Sequence, residues 1–173
     1  MLIAGKPNLQ KALEVLLYVS DRAPNLYNAL KCIYFADKLH LAQYGSFIYG
    51  DDYVAMNHGP VPSAAFDIVK QVRGDGRICL PIAASESFEI DGHLIRPKRD
   101  ADVRMLSDSE RECLDRVIGE YGDLAFGELR QISHGDAAFQ EADENAFISV
   151  EAIVRSIGDE DLLELLRDGD EAS

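Results

Sequence analysis

The run LYNALKCIYFADKLHLAQY, residues 26–44, constrains the fold more than any other stretch of the chain. At helical spacing, Leu26, Leu30, Ile33, Leu41 and Tyr44 form one apolar stripe. Ala29, Cys32, Ala36 and Leu39 form a second stripe beside it. A helix apolar this far round must be covered by other elements on more than one side. Asn25 stands where an N-cap is needed and Gly45 where a left-handed C-cap ends a helix. The chain can supply the covering layers. It has 173 residues, 47% of them apolar, enough for one domain that buries roughly 70% of its unfolded surface.

The remaining segments read as short elements around that helix. Residues 9–20 are helical and apolar on most faces, and Pro24 stops the chain before Asn25. Tyr53 to Met56 has strand character and runs into Asn57-His58-Gly59-Pro60-Val61-Pro62, a turn restrained by two prolines. A helix follows over 63–73, with Ser63 as its cap and Phe66, Ile68, Val69 and Val72 inward. Residues 77–82 and 86–90 have strand character, Asp91-Gly92 is a hairpin turn, and HLIRP is the return strand, ended or placed at an edge by Pro97. The SDSE at 107–110 fits a capping box that opens a helix ending at Gly122. Short helices follow over 124–133, in DAAFQEA, from Ser149 to Ser156, and in the acidic DEDLLELLRDGDEAS. The fold class is α+β: a mostly α-helical single domain with a small antiparallel β-sheet or hairpin. Residues 1–157 make the globular domain, and 158–173 an acidic C-terminal helix with a frayed tail.

Charge narrows the partners. Residues 1–100 carry 11 Lys+Arg and 11 Asp+Glu, whereas residues 101–173 carry 6 and 20 and hold the whole net charge of −14. Such a surface repels a phosphate backbone, which argues against direct nucleic-acid binding. It would steer a basic protein partner. No apolar run approaches the ~20 residues of a membrane span, and the opening MLIAGKPNLQK lacks a basic n-region followed by a long apolar core. Cys32, Cys79 and Cys113 are odd in number and far apart, which fits free thiols in a reducing cytoplasm.

The chemistry-bearing residues form no complete site. Phosphate-loop, GxSxG and HExxH patterns are absent, and no set of about four zinc ligands lies close in sequence. Asp37, His40 and Tyr44 share one face of the 26–44 helix, with Tyr34 one turn earlier. Asp37 interrupts an apolar stripe, so it must be hydrogen-bonded or paired. One reading makes it the orienter of a basic histidine in a small hydrolase-like site that includes His58. The favoured reading makes Asp37, His40, Tyr44 and His134 structural polar anchors, with Asp37 pinning a nearby loop. His134 stands near a helix end, where a positive charge is favourable, and His93 lies on the second hairpin. No metal or cofactor is expected, and no enzyme activity.

Four segments together resemble a known family: KALEVLLYV, LKCIYFADKLHLAQYG, YVAMNHGPVPSAAFDIVK and YGDLAFGELRQISH, in that order over roughly residues 9–140. The chain is identified from them as similar to the Panacea-domain antitoxins, the SocA-like and GepA-like phage-associated proteins of bacteria. The resemblance implies a non-enzymatic protein that neutralises a cognate toxin by binding it directly. It also implies a possible adaptor role, in which the toxin is delivered to the ClpX unfoldase of ClpXP. On this view Asn57, His58, Pro60, Val61 and Pro62 form a partner-binding surface, stiffened so that docking orders less backbone. Asn57-His58 stands where family members often carry Tyr or Lys, and Phe139 where they often carry Trp. A transcription factor that represses its own operon is a third reading, disfavoured by the charge.

Overall fold

The computed structural model describes residues 6–77 and 79–171. The opening Met1–Gly5, on which the leader reading partly rests, and the last two residues lie outside the described part. Among the described residues the order is α1 (Leu9–Ser20), α2 (Leu26–Tyr44), β1 (Tyr53–Met56), β2 (Gly59–Pro62), α3 (Ser63–Arg73), α4 (Ala84–Ser87), β3 (Phe88–Asp91) and β4 (Leu94–Pro97). It continues with a 3₁₀ turn (Val103–Met105), α5 (Asp108–Tyr121), α6 (Phe126–His134), α7 (Ala137–Glu141), α8 (Val150–Ile157) and α9 (Glu160–Glu171). The fold is α+β and mostly helical, with two separate two-stranded antiparallel sheets.

Helix α2 is the wall between two cores, and both of its stripes face the same one, Leu41 excepted. Ala29, Leu30, Cys32, Ile33 and Ala36 pack with α1, α3, α5, Phe88 and Ile95. Tyr34 and Leu41 face the other way, onto Tyr53, Ala55, Ala138, Ile153, Leu162 and Leu166. Tyr44 departs from its stripe and is 48% exposed. Asn25 caps α2 through the amides of Tyr27 and Asn28, and Gly45 closes it at φ +77°. The capping box of α5 is present in both directions between Ser107 and Glu110.

The sequence reading needs three local corrections. Residues 59–62 are a strand, not only a turn, paired Tyr53↔Pro62, Val54↔Val61, Ala55↔Pro60 and Met56↔Gly59. Prolines fit because this is an edge strand. The N–H and C=O of Ala55 turn to Ala146 and Asn145 on the far side of β1. Its opposite number Pro60 therefore sits in a pair that exchanges no ladder bonds. Second, the side chain of Ser63 makes no cap on α3. Asp51 does so from twelve residues upstream, accepting from the amides of Ala64 at 2.8 Å and Ala65 at 3.0 Å. Third, the described residues of 77–82 form no strand; Ile78 lies outside them, and the Leu80 amide is held by Gln71 Oε1 at 2.6 Å.

A buried carboxylate on α1 ties the second hairpin to the body. Glu14 accepts from both Arg99 nitrogens at 2.6 and 2.9 Å, from the Asp102 amide at 2.8 Å and from Gln10. Burial alone would raise its pKa, but these donors together hold it below the usual glutamate value. β4 continues the attachment. The Ile95 amide donates to Pro24 O, and the Leu26 amide to His93 O, so the β3–β4 turn sits at the start of α2.

Candidate functional site

The β1–β2 hairpin is held at its foot by two carboxylates. Asp37 is fully buried in α2 and accepts from the amides of Ile48 (2.5 Å), Tyr49 (3.4 Å) and Gly50 (3.1 Å) and from the Tyr53 hydroxyl (2.7 Å). It thereby closes the 46–50 loop onto β1. Burial pushes its pKa up, against the pull of those four donors. Asp51 binds the first turn of α3 just beyond β2 and takes the Tyr49 hydroxyl at 2.6 Å. Burial raises its pKa to about 6, again opposed by its donors.

The tip of the hairpin is held by side chains from α2 and α6 that reach its carbonyl oxygens. Tyr27 donates its hydroxyl to His58 O at 2.7 Å. His134 Nε2 bonds Asn57 O at 2.8 Å, which places a proton on that nitrogen. Lys31 Nζ donates to Pro60 O at 2.8 Å. Arg130 Nε adds a bond to His58 Nδ1 at 3.1 Å. The loop residues Asn57 and His58 keep ordinary φ values, and the left-handed excursion falls on Gly59 at φ +118°. That glycine also lets the strand lie directly on Ser133 of α6.

Beside this braced tip lies a groove of about 860 Å³, between the start of α2, the hairpin, the β3–β4 turn and the α5–α6 loop. Three of the large apolar side chains that stand exposed on this chain, Met56, Leu94 and Phe126, line it. Phe126 rests on Tyr27 (ring centroids 4.6 Å apart) and edge-on against His58 (5.2 Å). Lys31 is also part of the lining, 1% exposed, with Nζ 4.8 Å from the Tyr27 ring centroid. Burial lowers its pKa to about 7.

The model of the family described as antitoxin SocA-like, Panacea domain, matches residues 30–139. The chain belongs to this family. Among curated proteins and among solved structures there is no match. In this Panacea protein the matched span begins inside α2 and ends in α7. It contains Lys31, Asp37, the whole β1–β2 hairpin and His134. Outside it lie α1, α8, α9 and Tyr27.

The residues singled out from the sequence of the Panacea protein fall into three groups. Asn57 and His58 are exposed at the hairpin tip, while Pro60, Val61 and Pro62 are buried beneath it. Of those three, Val61 lines the groove. Asp37 and His134 hold the foot and the tip of the same hairpin. His40 and Tyr44 lie elsewhere, against α5. His40 bonds Ser46 O through Nδ1 at 2.6 Å and Ser109 Oγ through Nε2 at 2.9 Å. Tyr44 stacks on it at 4.9 Å and donates to Glu112. Asp37, His40 and His58 each bond other partners: Asp37 the 46–50 loop and Tyr53, His40 Ser46 and Ser109, and His58 Arg130. Among the described residues no group of three or more His, Cys, Asp or Glu is placed to hold a metal ion, and no helix is long and apolar enough to cross a membrane.

Sequence reasoning missed Tyr27, Lys31, Asp51, Phe126 and Arg130. For Lys31 a signal existed: a cation set among Ala29, Leu30, Cys32 and Ile33 on a helix apolar nearly all round. The same interruption drew attention to Asp37.

Proposed function

We propose that this Panacea protein is an antitoxin that acts in the cytoplasm by binding its cognate toxin directly and covering the toxin's working face, without turning over a substrate. The observation that carries the reading is a patch of exposed apolar side chains, Met56, Leu94 and Phe126, set around a hairpin tip braced by Tyr27, Lys31 and His134. Exposed apolar groups beside a pre-ordered loop favour docking, because desolvation is rewarded and little backbone has to be ordered. Asn57 and His58 would contact the toxin from the tip. The buried Pro60, Val61 and Pro62 would shape the surface from below. The acidic residues of 101–173 would steer a basic toxin toward it.

Delivery to ClpX is the second part of the proposal. α9 packs through Leu162 and Leu166 but leaves Leu165 66% exposed on an acidic helix. That side chain is the suggested handle. The test is co-expression with the toxin encoded next door. Growth is restored by the intact chain, and toxin and antitoxin co-purify. Leu165→Ser lengthens the toxin's half-life while leaving the complex intact if α9 is the handle. Restored growth with no complex would contradict direct binding.

A further inference from the structure

The strand β1 has two edges, and the edge away from β2 carries the most exposed large apolar side chain among the described residues. Phe147 is 68% exposed, more than Phe126 at 49% or Met56 at 37%. The backbone beneath it is ordered by β1. Ile148 donates its amide to Tyr53 O at 2.8 Å, Ala55 to Ala146 O at 2.9 Å, and Asn145 to Ala55 O at 2.7 Å. Residues 145–148 therefore run beside β1 as a third strand, bridged antiparallel at Val54↔Phe147. Asn145 opens that stretch at φ +61°, a left-handed conformation that asparagine adopts more readily than most residues.

These bonds fix two orientations. The Val54–Phe147 pair lies between bonded positions, so it exchanges no ladder bonds and its side chains stand close together on one face. On its other side Val54 pairs with Val61. One row across this face is thus Phe147, Val54 and Val61, with Met56 two residues along β1. Val61 and Met56 also line the groove, so the face runs into it. The opposite face is covered, with Tyr53, Ala55 and Ile148 buried in the core. The backbone gives the second orientation. The N–H and C=O of Phe147 point away from β1, and no hydrogen bond among the described residues takes either. The β2 side offers no such edge, because Pro60 and Pro62 lack an N–H and Lys31 holds Pro60 O.

The surroundings of this edge are acidic. Residues 39–69 and 131–154 supply all three strands and contain no Lys or Arg. Within them Asp67, Asp136, Glu141 and Glu151 are paired with cations. Asp52, Asp143 and Glu144 are exposed and form no ion pair among the described residues. Asp52 lies two residues before Val54, on the same face of the strand. Asp143 and Glu144 stand in the turn that leads into Phe147. An open strand edge beside an exposed aromatic suits an added strand. Carboxylates of one sign around it set the charge of what is added.

We infer that the toxin adds an extended, basic segment to this edge. Its backbone pairs with Phe147, an apolar side chain packs on the Phe147–Val54 row, and Lys or Arg side chains meet Asp52, Asp143 and Glu144. This contact rests on the antitoxin reading and extends the hairpin surface to the far edge of the sheet. Main-chain bonds along the edge supply affinity, and the side chains at alternate positions supply specificity.

The experiment uses the purified full-length antitoxin and the purified toxin encoded next door. Wild type is compared with Phe147→Ser and with a triple variant, Asp52→Asn, Asp143→Asn and Glu144→Gln. All four positions are exposed, so the melting temperatures should be nearly unchanged. Calorimetric titration should give an affinity at least ~10-fold weaker for Phe147→Ser, at low and at high salt alike. The triple variant should bind more weakly at low salt and lose most of the salt dependence of the wild type. Hydrogen exchange at the Phe147 amide should slow when toxin is added to the wild type. Full affinity for folded Phe147→Ser, unchanged salt dependence in the triple variant, or unchanged exchange at Phe147 would each overturn the inference. Each leaves the antitoxin reading standing as long as a complex forms. A dimer of the antitoxin alone that dissociates with Phe147→Ser would assign the edge to a second copy and overturn the inference too. Failure of any complex to form would sink the antitoxin reading and this inference together.

Discussion

Gly59 lies so close to Ser133 that a Cβ built on the glycine would stand 2.7 Å from the serine Cβ and 3.1 Å from Lys31 Cε. Its φ of +118° adds a conformation that L side chains rarely adopt. Both restrictions act on the same residue, at the point where the hairpin tip meets α6. Gly59→Ala must push β2 off Ser133 and disturb the bonds from Lys31 and His134. The expected cost is about 1–3 kcal/mol. Urea denaturation would measure it. A matching substitution at Gly127, where an added Cβ meets nothing within 4 Å, serves as the control; it should cost far less.

Asp37→Ala removes one acceptor group and leaves three amides and the Tyr53 hydroxyl without it. Buried donors that lose their partner pay their desolvation, so the loss should reach roughly 2–4 kcal/mol. Tyr53 ties the effect to β1. Hydrogen exchange should therefore speed up through residues 46–56 more than in α3. A loss confined to a few tenths of a kcal/mol would show that the loop holds itself.

Two buried groups give the protein a pH dependence of opposite sense. Asp51 has its pKa raised from 3.8 to about 6 by burial. The folded state then binds the proton more readily than the unfolded one. This contribution is fully present below 3.8 and is lost as pH rises through about 6. Lys31 is lowered from 10.5 to about 7. Its contribution is present above 10.5 and is lost as pH falls through about 7. Stability measured relative to Asp51→Asn should therefore decline between pH 4 and 6, and stability relative to Lys31→Met should climb between pH 7 and 9. Each change is on the order of a few kcal/mol at most. Parallel pH profiles for wild type and variant would contradict the corresponding assignment.

The elements legible in the sequence were those fixed by local pattern. The wide apolar surface of α2 foretold a helix covered on more than one side, although both stripes pack into one core and the other side is covered through Tyr34 and Leu41; Ser107 and Glu110 foretold the start of α5. Asp37 was legible as a group needing partners, because a carboxylate broke an apolar stripe. What stayed hidden depended on contacts between distant segments. Asp51 took the place of Ser63 as the cap of α3 because the 46–52 loop folds back over it. Pro60 and Pro62 looked like turn residues alone, since nothing local shows that β1 gives its other edge to residues 145–148. Glu14 needed Arg99, 85 residues away. The groove was hidden for the same reason: its walls come from five separate stretches of chain.

The central claim, that the hairpin face binds the toxin, is tested most directly by calorimetric titration of the purified toxin into wild-type antitoxin and into Phe126→Ser. Phe126 is 49% exposed, so its loss should leave the melting temperature nearly unchanged. The account predicts saturable binding to the wild type and an affinity at least ~10-fold weaker for the variant, as for a central aromatic contact. Equal affinity for both proteins would place the toxin on another surface and contradict it.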